Sequence, residues 1–265
     1  MAGTPVWYEL MTTDPAKVAP FYREVLGWSV ATGGDHLPNG ARYGMIGRAD
    51  GGQAGGVLTM SGDMCEQGAT PAWLIYFNVD DTDEACTRAQ DLGATVQMPP
   101  VTMENVGRMA MLADPQGTSF YVMTPTPPEG SEPAGESSVF SPEAAGYCAW
   151  NELNTQNADK QEAFYSQLFG WEVTGEMPMP DGHTYKFVNN GETPLGAVCS
   201  MKPESVPSQW LPYFRVTDID TAKDAVVANG GKVEMGPHEV PGGDYIIVGF
   251  DPDGAALGLV GRKAQ

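Results

Sequence analysis

At 265 residues with 42% hydrophobic side chains, the chain is long enough to bury two cores of ordinary size. Its formal charge of -20, from 14 Lys and Arg against 34 Asp and Glu, repels phosphate backbones and anionic lipid, and so argues against nucleic acid or a membrane as partner despite six Trp. There is no run of about 18 apolar residues, no apolar stretch behind a basic flank and no Cys-x-x-Cys pair, so the sequence predicts a soluble, cytoplasmic protein with reduced thiols.

In chain order, Val6 to Met11 alternates in polarity and predicts a strand. A helix follows, because Asp14 can accept backbone N–H groups at its start and Pro15 suits the first turn. Val18, Phe21, Tyr22, Val25 and Leu26 share its apolar face, and Gly27 ends it. Trp28 to Thr32, Ala41 to Gly47 and Gly55 to Met60 read as three strands between glycine turns. Trp73 to Val79 opens the same pattern again, with a helix over Thr82 to Leu92. Strands over Thr95 to Met98, Met109 to Ala113 and Ser119 to Met123 follow. The stretch from Thr124 to Ser138, rich in Pro, Ser, Gly and Glu, reads as a linker.

Beyond that linker the chain repeats itself. Trp7-Tyr8-Glu9-Leu10, Phe21-Tyr22 and Leu26-Gly27-Trp28 recur as Trp150-Asn151-Glu152-Leu153, Phe164-Tyr165 and Phe169-Gly170-Trp171, at a constant shift of 143. Trp73 to Asp83 and the turn Asp114-Pro115-Gln116-Gly117 recur from Trp210 and as Asp251-Pro252-Asp253-Gly254, at a shift of 137. Asn157 takes over the capping role of Asp14, and Gly170 that of Gly27. The period is too long for a solenoid, so each copy is a domain. The expected class is α+β, with domains at 1–125 and 146–263, a linker at 126–145, and two βαβββ units per domain that form a curved mixed sheet around a cleft.

Thr13-Asp14-Pro15 with Phe21-Tyr22-x-x-x-Leu26-Gly27-Trp28, its copy around Phe164 to Trp171, and the closing Asp-Pro-x-Gly turns resemble the vicinal oxygen chelate superfamily. This is the glyoxalase, bleomycin-resistance and extradiol dioxygenase group. Gly3-Thr4-Pro5-x-Trp7 with Gly107-Arg108-Met109 is similar to the tandem-domain glyoxalase-like proteins of bacteria. The resemblance implies a divalent metal held by His, Gln or Glu at fixed strand positions. Here those positions fall at Trp7, near Gly56, at Leu74 and Tyr121, then at Trp150, near Ala197, at Leu211 and Gly258. None is an ordinary metal ligand, so the expectation is a site for a small, partly apolar molecule without a cofactor, serving sequestration or a lyase- or isomerase-type step. A divalent metal with displaced ligands from His36, His183, His238, Glu9 or Glu152 is the alternative.

If Trp7 faces the cleft, a period of two puts Glu9 and Met11 beside it, and likewise Trp150, Glu152 and Asn154. Glu9 and Glu152 are the candidate catalytic groups, since a carboxylate walled by an indole can serve as general acid or base. The competing reading has them pair with arginine or backbone donors and hold the strands together. Arg108 is the candidate for an anionic substrate or for Glu9, with Tyr245 as its counterpart. Tyr43, Tyr121 and Tyr185 complete the ligand-facing candidates, whereas Trp28, Trp171, Phe21 and Phe164 are assigned to the core. Expected partners are a small-molecule ligand or substrate and no nucleic acid or membrane, with the chain as a monomer or homodimer.

Overall fold

The computed structural model describes residues 2–126, 138–179, 182–200 and 208–264. The first copy runs β1 (Pro5–Thr12), α1 (Pro15–Leu26), β2 (Ser29–Val30), β3 (Asp35–His36), β4 (Arg42–Gly47), β5 (Gln53–Thr59) and α2 (Gly62–Glu66). It continues with β6 (Ala72–Asn78), α3 (Thr82–Asp91), β7 (Thr95–Met103), β8 (Gly107–Ala113) and β9 (Ser119–Pro125). The second copy runs β10 (Cys148–Thr155), α4 (Ala158–Phe169), β11 (Glu172–Pro178), β12 (Thr184–Asn190) and β13 (Thr193–Ser200). It ends with β14 (Gln209–Arg215), α5 (Ile219–Ala228), β15 (Lys232–Glu239), β16 (Tyr245–Phe250) and β17 (Ala256–Gly261). The α+β class is as expected, and so is the doubled βαβββ order, to which the first copy adds β3 and α2.

One sheet has the order β2-β4-β5-β1-β6-β9-β8-β7, with β3 on β4, and the other β11-β12-β13-β10-β14-β17-β16-β15. Both are mixed: β1 runs parallel to β5 and β10 to β13, while the hairpins are antiparallel. Helix starts follow from capping, as Asp14 accepts from the Ala16 and Lys17 N–H groups and Asn157 from that of Lys160. Gly27 and Gly170 end their helices at φ 70 and 80, left-handed values that favour glycine.

Four elements differ from the sequence reading, the first being β3, a two-residue strand on β4 where none was expected. The strand expected over Trp28 to Thr32 shrinks to Ser29–Val30. The one expected over Thr95 to Met98 extends to Met103, its ladder slipping between Met98 and Val101 and resuming at Val101 opposite Met109. Pro99 and Pro100, which have no N–H to donate, sit in that slip. The five residues of α2 are too few for a periodic signal, although Ser61 caps them through the Met64 N–H. Residues 127–137, most of the expected linker, lie outside the described residues.

By compactness the chain divides differently from its repeat. A mid-chain unit contains Met1–Val6, Ile75–Ser137 and Trp150–Trp210. A flanking unit contains Trp7–Leu74, Ser138–Ala149 and Leu211–Gln265. Each draws a βαβββ module from both copies.

In the mid-chain unit the Tyr165 hydroxyl on α4 donates to Asp114 at 3.1 Å and accepts from Trp210 Nε1 at 3.2 Å. Its ring stacks on Trp171 at 5.3 Å, amid Phe77, Phe120 and Phe169. In the flanking unit the Tyr22 hydroxyl on α1 donates to Asp251 at 2.9 Å and accepts from Trp73 Nε1 at 3.0 Å. Its ring stacks on Trp28 at 5.9 Å, with Phe214 edge-on to that indole. Burial, reinforced by the adjacent aspartate, pushes both phenols well above their ordinary range and keeps them hydrogen donors. The helix of one copy is thus bonded to the closing turn of the other. The chain entering each copy is tied down alike: Trp171 Nε1 donates to the Gly3 carbonyl and Trp28 Nε1 to that of Gly146.

Candidate functional site

The first-strand cluster of the first copy lies in the flanking unit. Tyr8 and Leu10 of β1 are fully buried core residues, which leaves Trp7, Glu9 and Met11 on the opposite face. Trp7 Nε1 donates to the Tyr43 hydroxyl at 2.7 Å. Glu9 sits opposite Gly56 in the parallel ladder, and a Cβ at Gly56 would come within 2.1 Å of the Tyr43 Oη. Glycine there is what lets the phenol cross strand β5. Glu9 is 2% exposed and Met11 9%.

The second cluster lies in the mid-chain unit and is more open. Along β10, Asn151, Leu153 and Thr155 are buried while Trp150, Glu152 and Asn154 stay half-buried. Trp150 Nε1 donates to the Tyr185 hydroxyl at 2.8 Å, and Tyr185 donates to Glu152 Oε2 at 2.8 Å. The other oxygen, Oε1, accepts from Asn154 Nδ2 at 2.8 Å. Both carboxylate oxygens therefore have a fixed donor, and the indole sets the direction in which the phenol gives its proton. Four of the residues expected from sequence are brought together here.

Phe187, which the sequence reading passed over, stands edge-on to Trp150 at 6.2 Å and to Tyr185 at 5.5 Å. The signal was present, since Tyr185 and Phe187 are two apart on β12 and share a face. Tyr76 was also missed. It stacks on Tyr121 with ring centres 4.0 Å apart and planes at 8°.

Arg108 has a different carboxylate from the one expected. Asp83, at the start of α3, takes its Nη2 at 2.8 Å, and the Thr102 hydroxyl accepts from Nη1 at 2.9 Å. The Arg108 hydrogen bond holds the Asp83 carboxyl below its ordinary range, and Asp83 in turn raises the guanidinium. Tyr245 donates to Glu239 at 3.2 Å and lies under the Lys263 ammonium.

The residues at the family's metal positions do not fit a metal. Trp7, Gly56, Leu74, Trp150, Ala197, Leu211 and Gly258 offer neither imidazole nor carboxylate, and Tyr121 is covered by Tyr76. At Gly258 a Cβ would come within 2.3 Å of the Tyr213 ring, so that position too is filled by a phenol. Among the described residues no three His, Cys, Asp or Glu side chains gather as a metal centre would require. His36 and His238 are exposed and His183 is half-buried. All four cysteines are free, and burial pushes the Cys86 thiol up to about 11.

A cavity of about 450 Å³ opens in the flanking unit at the exit of α1, beside Arg48, Gly146, Arg215 and Asp218. It includes none of the predicted site residues. Arg48 and Arg215, both half-buried, are already held, Arg48 by Asp50 and Tyr147 and Arg215 by Asp244 and the Pro142 carbonyl.

A family model described as Glyoxalase/Bleomycin resistance protein/Dioxygenase superfamily matches residues 4–122 and 146–259. The anthracycline biosynthesis protein DnrV of Streptomyces peucetius is 30% identical over 97% of this chain and 93% of its own. The anthracycline biosynthesis protein DauV of Streptomyces sp. strain C5 is 29% identical over the same shares. Among solved structures, the 2,3-dioxygenase LapB of Pseudomonas sp. KL28 superposes with a TM-score of 0.65 at 17% identity, covering 100% of this chain and 94% of that one. At that identity the likeness is one of fold. Among the described residues no helix is long and apolar enough to cross a membrane.

Proposed function

The chain belongs to the Glyoxalase/Bleomycin resistance protein/Dioxygenase superfamily, and from that premise we propose that it binds a small, partly apolar molecule at its aromatic strand faces without the family metal. Glu152 then acts as the base of an isomerase or lyase type of step. The observation that carries this reading is the run Trp150, Tyr185, Glu152, Asn154, joined by three hydrogen bonds of 2.8 Å. Tyr185 and Asn154 orient the carboxylate, and the half-buried position of Glu152 leaves it open to a ligand proton. Trp150 and Phe187 supply flat apolar walls. The names of the two Streptomyces relatives support an anthracycline-type aromatic compound as the ligand class. The domain limits 1–125 and 146–263, and a single chain or homodimer as the working form, belong to the same proposal.

Titration with an anthracycline aglycone tests the ligand class. Saturable quenching of tryptophan fluorescence, weakened by Trp150→Phe, is expected, and an unsaturable response overturns it. Elemental analysis of protein purified without chelators or a metal-affinity tag tests the cofactor. One equivalent of zinc, nickel, iron or manganese per chain would overturn the metal-free reading. The fold likeness to a 2,3-dioxygenase favours a second reading, a metal-dependent lyase or extradiol dioxygenase. Turnover of methylglyoxal with glutathione, or ring cleavage of a catechol on adding divalent metal, would establish it.

A further inference from the structure

Two buried side chains of the mid-chain unit are polar where their counterparts in the flanking unit are apolar. Gln161 on α4 is 0% exposed, and neither the nitrogen nor the oxygen of its amide has a hydrogen-bond partner among the described residues. The Thr118 hydroxyl, in a residue 3% exposed, is in the same condition. The shift of 143 that aligns the helices maps Gln161 onto Val18, and the shift of 137 that aligns the closing turns maps Thr118 onto Ala255. Both counterparts are 0% exposed. The two changes occur together, one in each copy.

The docking of turn on helix puts the two polar groups on the two elements that meet. Gln116 Nε2 donates to the Asn157 carbonyl at 3.0 Å, and Asp114 accepts from the Tyr165 hydroxyl. Asn157, Gln161 and Tyr165 follow one another in steps of four, so they share one helix face, and Gln161 is the middle step. Thr118 closes the same turn, where its N–H is held by Asp114. In the flanking unit the turn from Asp251 touches α1 at Lys17 and Tyr22, on either side of Val18.

We infer that Gln161 and Thr118 enclose an interior water, and that this wet contact commits α4 to the turn at 114–118 and α1 to the turn at 251–255. A buried amide with no partner is strongly disfavoured, and one water can donate to the Gln161 oxygen, accept from its nitrogen and meet the Thr118 hydroxyl. Crossed docking would set Gln161 against Ala255 and Thr118 against Val18. Each polar group would then face an alkyl surface, which is how a buried polar pair selects one register over another.

A crystal structure resolving ordered waters is expected to show one water hydrogen-bonded to both side chains. A dry contact, or a direct bond between amide and hydroxyl, overturns the water. The pairing is tested by a double-mutant cycle on the full chain. Gln161→Val and Thr118→Ala are each expected to lower Tm by roughly 2–4 °C. The double variant, which recreates the Val18 and Ala255 pair, should lose clearly less than the sum. Additive losses overturn the coupling. If a single variant fails to fold, the double folding normally supports the coupling and its failure to fold overturns it.

Discussion

The first strands of the two copies, β1 and β10, share Trp-x-Glu on one face and both hand an indole N–H to a tyrosine, at 2.7 Å and 2.8 Å. Two residues past the glutamate they part, with Met11 in one and Asn154 in the other. Methionine offers no hydrogen-bond donor, whereas Asn154 fixes one oxygen of Glu152 while Tyr185 fixes the second. Exposure follows the same division: Glu9 and Met11 are buried, and Glu152 and Asn154 half-open. Duplication has kept the frame and let the polarity diverge. A shared motif therefore does not imply a shared duty.

That contrast can be broken by experiment. Glu152→Gln is expected to reduce turnover by roughly 10²-fold or more, and Glu9→Gln by less than roughly tenfold. Equal losses in a steady-state assay would erase the distinction. Tyr22→Phe and Tyr165→Phe compare the two units. Each strips a buried aspartate and a buried indole of one partner, so urea unfolding should show a loss of about 1–3 kcal/mol in either variant. A loss in only one would mean that the units are not held alike. Asn154→Met gives the second strand the first strand's residue. It is expected to lower kcat roughly tenfold while KM holds, because it disturbs the orientation of the base rather than the binding walls.

The smallest effect concerns pH. Asp253 occupies the place of Gln116, and burial alone would raise its carboxyl, but donors from Thr13, Thr12 and Lys17 hold it below its ordinary value. Its stabilising contribution is therefore present above the unfolded value, about 3.9, and is lost as pH falls through the lower folded value. Asp251 runs the other way. Burial raises its carboxyl despite three backbone N–H groups on Oδ1, so its contribution is present at low pH and lost as pH rises through the folded value. Asp253→Gln should flatten the acid limb of a plot of Tm against pH, within about 1 kcal/mol, and leave the Asp251 trend visible. An unchanged acid limb would sink this assignment.

Much of the fold could be read from the residues, since local rules govern local elements. Asp14, Asn157, Gly27 and Gly170 mark helix ends by chemistry that acts within one turn. Trp28, Phe21, Trp171 and Phe164 are buried as their helix positions implied. The cluster around Glu152 was readable because residues two apart on a strand stand side by side. What could not be read is which module packs on which. A repeat register aligns Tyr22 with Tyr165 but says nothing of Asp251 or Asp114, the turns those phenols meet more than fifty residues away. Arg108 could not be matched to its carboxylate partner for the same reason. Its partner Asp83 is a helix-start residue 25 positions earlier, and the spacing alone did not favour it over Glu9.

The unit that joins 7–74 to 211–264 also sets a timetable. On a ribosome adding roughly 5–20 residues per second, the stretch 7–74 must wait for its partner while 137 further residues are made, from Leu74 to Leu211. That is a delay of the order of ten seconds. Meanwhile 75–126 meets 150–210 and completes the mid-chain aromatic core. The stretch 7–74 is thus completed after the mid-chain unit although it is made before most of it, and Trp28 and Trp73 spend that interval without Phe214 to close over them.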